Sequence, residues 1–186
     1  MKRIFLILAF FAWTFTAFAQ ETKIPQRLEI VTIDLNPDDD DAILSVDEQI
    51  EVFCMPEDGV NHYFLSVGHL GIGDEIVQIN FDPLFELFIP LGDTLAEAME
   101  SLQDLQSLFK GPRGKTFETE GCLSVGFPND KLEPVTVTYR KVLLSNLLEF
   151  SVKRGDYTRA THINKSQFNA LVSGVKSYRK LHPNEL

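Results

Sequence analysis

The stretch from Gly111 to Thr116 ends in Gly-Lys-Thr, the residues that close a phosphate-binding loop. Such a loop needs another glycine at position 109, where this chain has Phe109. It must also follow a strand and open a helix, so that the helix amides meet the phosphates. Here a helical pattern precedes the stretch and a strand pattern follows it. We therefore interpret residues 111–116 as a helix stop and turn.

Cys122 stands in the pentad Glu-Gly-Cys-Leu-Ser, residues 120–124. A nucleophilic thiolate needs a cation or a helix N-terminus to lower its pKa, whereas apolar strand residues surround Cys122. The pentad resembles a short motif of peptide deformylases, in which the cysteine ligates the metal. That resemblance implies a His-Glu-x-x-His helix elsewhere, and the sequence contains none. The sequence therefore assigns no catalytic residue here.

Metal ligands are the next candidates. Asp38–Asp41 could offer oxygens to Ca²⁺, but Ca²⁺ takes about six to eight oxygens around one point, and four adjacent side chains cannot all converge. His62, His69, His162 and His182 are scattered and form no pair at helical ligand spacing, although His62 and His69 could approach each other across a turn. We predict no metal or cofactor, and calcium binding by the acidic loop stays open.

Basic and aromatic residues of the second half could share one sheet face, a combination that binds single-stranded nucleic acid. Phosphate affinity depends on an excess of cations, however, and the whole chain has a net charge of −10. We therefore predict no nucleic-acid partner. The residues concerned are Arg140, Lys141, Lys153, Arg154 and Arg159, with Tyr139, Phe150 and Tyr157.

Charge is divided unevenly along the chain. Residues 21–110 hold 20 acidic and 3 basic side chains, whereas residues 111–186 hold 7 acidic and 12 basic ones. One interpretation is an acidic, solvated surface. The other is attraction between the halves, within one molecule or head to tail between copies, which predicts weak self-association.

Residues 1–19 have the three parts of a secretory signal peptide. Lys2 and Arg3 precede the apolar run Ile4–Trp13, and Ala17-Phe18-Ala19 matches the cleavage pattern. The run is shorter than the roughly 20 residues of a bilayer span, so cleavage is favoured over an uncleaved anchor. We predict a periplasmic or secreted chain that begins at Gln20 and has no membrane span. Such a compartment permits a disulfide between Cys54 and Cys122, which the sequence leaves open.

The elements that would position these residues follow from apolar periodicity. Alternation predicts four strands and then a helix in each half, which gives an α+β fold of antiparallel sheets with two helices. A duplicated ββββα unit, with halves 24–110 and 111–182 in one exported domain 20–186, is one interpretation. Pro83–Leu91 is assigned to a short helical turn or loop. The predicted strands are 28–35, 48–55, 62–67, 75–81, 117–127, 135–139, 148–152 and 157–163, and the helices are 94–110 and 168–178.

Function is the least determined property of the sequence. Since no catalytic constellation is present, we expect an exported, non-enzymatic protein that binds a partner protein or a small ligand. The alternative is an exported hydrolase or thiol enzyme whose site is assembled only in three dimensions. A deep pocket that holds a histidine or cysteine with polar partners would favour the enzyme, and a flat sheet or apolar groove would favour binding.

Overall fold

A computed structural model describes residues 26–34, 49–69, 71–72 and 85–183. Three predictions fall outside these residues: the signal peptide 1–19, the acidic loop Asp38–Asp41 and the strand 75–81. The described residues form antiparallel strands and two long helices, so the predicted α+β class is confirmed.

The first half contributes five strands. They are β1 (Leu28–Asp34), β2 (Gln49–Glu57), β3 (Val60–His69), the two-residue β4 (Gly71–Ile72) and β5 (Glu86–Gly92). The alternation in the sequence has the expected result, because Ile50, Val52 and Cys54 of β2 all face the core. Gly71 and Ile72 pair with β9 as a short strand.

The second half contributes four strands: β6 (Thr116–Ser124), β7 (Glu133–Val142), β8 (Ser145–Arg154) and β9 (Tyr157–Asn164). Every pairing is antiparallel, and the sheet order is β1-β2-β3-β5-β6-β7-β8-β9-β4. β4 directly follows β3 along the chain. Its pairing with β9 therefore connects the last strand of the second half to the first half.

The prediction of a helical turn or loop at Pro83–Leu91 was wrong, because β5 occupies most of this segment. Leu87, Ile89 and Leu91 belong to the main core, while Phe88 belongs to a separate cluster on the other side of the sheet. A strand that is buried on both faces reads as a continuous apolar run without alternation. Its periodicity therefore could not reveal it.

The two helices begin at capping boxes. In α1 (Leu95–Ser107), Thr94 accepts a hydrogen bond from the backbone of Glu97, and Glu97 accepts one from the backbone of Thr94. In α2 (Lys165–Leu181), Asn164 and Gln167 make the same exchange. Reciprocal caps satisfy amides that have no partner in the first turn. Both helices were expected at these places, and α1 continues into a 3₁₀ turn at Leu108–Lys110.

One apolar cluster joins residues of both halves. It contains the inward residues of the sheet together with the buried stripes of α1 and α2, including Leu102 and Phe168, which are fully buried. Phe109 of the 3₁₀ turn lies against Tyr139 and Phe168, with ring centroids 5.9 and 6.0 Å apart. The duplicated ββββα unit stays a prediction, because only the order of elements recurs in the two halves.

Candidate functional site

Residues 111–116 form a turn between a helix and a strand. Gly114 donates its backbone N–H to the Tyr139 carbonyl at 2.9 Å, and Tyr139 donates to the Lys115 carbonyl at 2.9 Å. These two bonds hold the turn against β7. The helix lies before the glycines and the strand after them, which is the reverse of a phosphate-binding loop.

Cys122 lies on β6 and is inaccessible to solvent. Burial raises the pKa of its thiol, although the backbone N–H of Asn129, which donates to Sγ at 3.3 Å, acts in the opposite direction. A thiol in this environment stays protonated at neutral pH and is shielded from substrates. Its surroundings are those of a structural cysteine.

Cys54 and Cys122 are both free thiols. They stand on β2 and β6, which are separated in the sheet by β3 and β5. Cys54 belongs to the main core, whereas Cys122 belongs to the cluster on the other face. A disulfide needs Cα atoms within about 7 Å and Cβ atoms that point towards each other, so these positions do not bridge.

The cluster around Cys122 is covered by Arg27. Its guanidinium lies 4.0 Å from the ring centroid of Phe53, pairs with Glu51 and donates to the Gly126 carbonyl at 2.9 Å. This arrangement shields the aromatic rings and attaches the segment before β1 to the loop after β6. These are packing contacts, because the Arg27 guanidinium and the aromatic rings are already bound to each other.

His62 faces a shallow cleft of about 170 Å³ on the same side of the sheet. Its Nδ1 lies 2.7 Å from Asp93 Oδ1, and Glu57 and Asp130 also line the cleft. The cleft has no Ser, Thr or Cys in its lining, and it is smaller than usual ligand pockets, which measure about 300–1,000 Å³. No group of three metal-ligating side chains occurs among the described residues.

Two of the three aromatic residues considered for a basic-aromatic face are buried. Tyr139 and Phe150 point into the core, and Tyr139 Oη donates to Asn146 at 2.7 Å. Arg154 is paired with Glu133, and Arg140 with Glu149. These two aromatic side chains are therefore not available on a surface, since their positions belong to the buried period of β7 and β8.

The turn between β7 and β8 is the most unusual exposed feature of the described chain. Val142 pairs with Ser145, which leaves Leu143 and Leu144 as a two-residue loop. These leucines are 92% and 95% exposed, and Leu143 has a φ of 52°. Glycine is the usual residue at such a position, because a side chain is strained there. We call residues 142–144 the leucine tip.

Cations lie at the same end of the sheet as the leucine tip. The topology brings residues 105–117, 138–148 and 163–171 to this end of the sheet, and these segments contain no Asp or Glu. Thr116 pairs with Thr138, and Leu147 pairs with Asn164. All six basic side chains are exposed, and within the described residues Glu149 is the carboxylate that pairs with one of them, Arg140. We call this set the basic end: Lys110, Arg113, Lys115, Arg140, Lys141 and Lys165.

A polar groove of about 390 Å³ opens beside the leucine tip. Leu144, Ser145 and Asn146 line it from the turn and β8, and Lys165 and Asn169 line it from the start of α2. The groove links the tip to the start of α2. The exposed site therefore combines two exposed leucines, a polar groove and a set of exposed cations at the same end of the sheet.

Sequence reasoning missed this site because residues 140–147 were left between two predicted strands without an assignment. A signal was present, since the segment Val-Leu-Leu-Ser contains none of the Gly, Asn or Asp that a two-residue hairpin turn normally uses. Apolar residues in a tight turn between well-defined strands predict an exposed apolar tip.

No protein-family model, curated protein or solved structure matches this chain. In the described part of the protein, neither helix has the length and apolar character needed to cross a bilayer. The function must therefore be inferred from the site itself.

Proposed function

We propose that this chain is an exported, non-enzymatic binding protein whose contact surface is the leucine tip with the basic end around it. The observation that carries the proposal is the nearly complete exposure of Leu143 and Leu144 on a turn that projects from the sheet. Export is supported by the composition of residues 1–19.

Folding does not account for the leucine tip. A positive φ at Leu143 costs about 1–2 kcal/mol relative to a right-handed conformation, and glycine would remove that strain. Two exposed leucines also gain nothing from the protein's own core. Contact with a partner outside the molecule explains why the turn has both a strained φ and two exposed leucines.

The basic end indicates the charge of the partner. Five of its six cations have no carboxylate partner within the described residues, and salt-dependent attraction to an acidic surface follows from this arrangement. The described chain offers less for catalysis, because Cys122 is buried and the cleft at His62 lacks a nucleophile. Binding is the function that fits these features.

The test is retention of the purified chain on isolated cell envelopes, measured by sedimentation. We expect the double variant Leu143→Ser/Leu144→Ser to lose at least about tenfold in retention, because each leucine removes substantial apolar area from water on contact. The matched control is Leu132→Ser, an exposed leucine beside the opposite end of β7. It should bind as the unaltered chain does.

Circular dichroism and thermal unfolding would show that the double variant is folded. Equal retention of the double variant and the control would contradict the proposal, and so would a complete lack of retention of the unaltered chain. In either case the leucine tip would not be a binding surface.

A further inference from the structure

We infer that the partner is an anionic lipid surface, into which the leucine tip inserts while the basic end contacts the headgroups. The inference rests on the proposed function, and it specifies the partner of the same site. The juxtaposition of a projecting apolar turn with unpaired cations at its base carries it.

The shape of the tip suits a soft, penetrable partner. Leu143 and Leu144 occupy the two loop positions of a hairpin, so their side chains project beyond the last paired residues, Val142 and Ser145. Peripheral proteins bury apolar side chains about 5–10 Å into the boundary between headgroups and acyl chains. A two-residue turn with Val142 half-exposed behind it has the apolar extent for such shallow insertion.

The position of the cations suits headgroups. Lys141 precedes the tip directly, Lys165 lies across the groove from Leu144, and the Arg113–Lys115 turn is bonded to Tyr139 two residues before Lys141. When the leucines are in the acyl boundary, these side chains lie at the level of the phosphates. Basic residues next to an inserted apolar segment are the usual means by which proteins recognise anionic lipids.

The rest of the charge distribution determines the orientation. Residues 21–110 have a net charge of −17, from 20 acidic and 3 basic side chains, and an anionic bilayer repels them. The basic end therefore faces the membrane, and the carboxylates described between residues 26 and 104, which number 10 against the single cation Arg27, face away from it. A protein partner is less well matched, because leucine is under-represented among the residues that dominate protein–protein affinity, whereas Trp, Tyr and Arg are enriched.

The experiment uses vesicle flotation with the chain from Gln20 onward, which contains every described residue and omits the apolar segment 1–19. Vesicles of phosphatidylcholine with about 30 per cent phosphatidylglycerol supply the anionic surface, and pure phosphatidylcholine vesicles are the reference. We expect binding to the anionic vesicles alone, with at least about a tenfold loss for Leu143→Ser/Leu144→Ser.

The cations are tested separately. Lys141→Gln/Lys165→Gln should lower binding several-fold, while Lys153→Gln, an exposed lysine near the other end of β8, should leave it unchanged. Binding should also weaken as NaCl rises from about 20 to about 500 mM, because the headgroup contacts are screened.

Fluorescence provides a direct readout of insertion. Trp13 is the only tryptophan of the sequence, so the chain from Gln20 onward has none, and Leu144→Trp introduces a single reporter at the tip. We expect its emission to shift to shorter wavelength on anionic vesicles. Leu132→Trp, beside the opposite end of β7, should show no shift.

The lipid inference is overturned if the chain does not bind anionic vesicles, or if the leucine-tip variant and the Leu132→Ser control bind them equally. Retention on envelopes that depends on the tip, but survives extraction of the lipids, would identify a protein partner. That result would overturn the lipid inference and leave the proposed function intact. Loss of tip dependence in both experiments would overturn both.

Discussion

Arg154 and Glu133 face each other across β8 and β7, at the end of the sheet opposite the leucine tip. Arg154 Nε donates to Glu133 Oε2 at 2.9 Å, and Arg154 Nη2 donates to Glu133 Oε1. The hydrogen bonds from Arg154 lower the pKa of Glu133 below its ordinary value, although partial burial opposes them. The folded state therefore favours the ionised carboxylate more than the unfolded state does.

This pair predicts a defined dependence of stability on pH. Because the pKa of Glu133 is lower in the folded protein, the unfolded chain binds more protons as pH falls from about 5 to about 3, and the free energy of unfolding decreases there. Glu133→Gln should make that decrease smaller. Urea unfolding at several pH values measures it, with Glu120→Gln, an exposed carboxylate on β6, as control. Profiles of the same slope for all three proteins would contradict the prediction.

Several residue-level expectations followed from the sequence alone. The apolar neighbours of Cys122 predicted its burial, and the order of elements around Gly111–Thr116 predicted a turn between a helix and a strand; the burial and the turn are confirmed. Contacts between distant segments could not be predicted. Arg27 on Phe53, and His62 with Asp93, depend on strand order, which no local pattern specifies.

At the scale of elements, Gly174 explains how α2 approaches the sheet. A Cβ at this position would lie 2.7 Å from Val31 Cγ2 and 2.8 Å from Val31 Cγ1, closer than such atoms pack. Glycine lowers the intrinsic stability of a helix by about 1 kcal/mol relative to alanine. Here its absence of a side chain allows β1 and α2 to come into contact.

We predict that Gly174→Ala destabilises the protein by about 1–3 kcal/mol despite the better helix propensity of alanine, because the new methyl group overpacks the contact with Val31. Ser173→Ala, at the adjacent exposed position, is the matched control and should be neutral or slightly stabilising. The double variant Val31→Ala/Gly174→Ala should recover part of the loss. Thermal unfolding measures all three, and a higher midpoint for Gly174→Ala would show that the helix can move away.

An element with one buried face shows its period in the sequence. β2, β7 and β8 alternate because one side of each packs on the helices, and α1 and α2 carry apolar stripes for the same reason. β5 was not predicted because both of its faces are buried. The leucine tip was not predicted because it has leucines where a two-residue hairpin turn normally has Gly, Asn or Asp.

At the scale of the molecule, the division of charge bears on association between copies. The basic end of one copy and the acidic half of another have opposite charge, but the groups are exposed, so each pair contributes at most about 1 kcal/mol. Any head-to-tail complex is therefore weak. It should compete with anionic lipid for the same cations.

Sedimentation measures this association. We expect weak oligomers at about 20 mM NaCl that dissociate by about 500 mM, since screening then acts within a few ångströms. Lys141→Gln/Lys165→Gln should shift the low-salt material towards monomer, and Lys153→Gln should not. A monomer at both salt concentrations would mean that the charges are merely solvated, and association that increases with salt would indicate an apolar interface.

The pairing of β4 with β9 also determines when the protein can fold. Gly71 and Ile72 pair with residues 159–160, and β1 packs against α2, the last element described. Contacts so distant along the chain slow folding, because a long loop must close before they form. The inner face of the first strands therefore stays open until α2 has been made. The core is therefore completed only when α2 is present, and a chain that lacks α2 remains a substrate for chaperones and proteases.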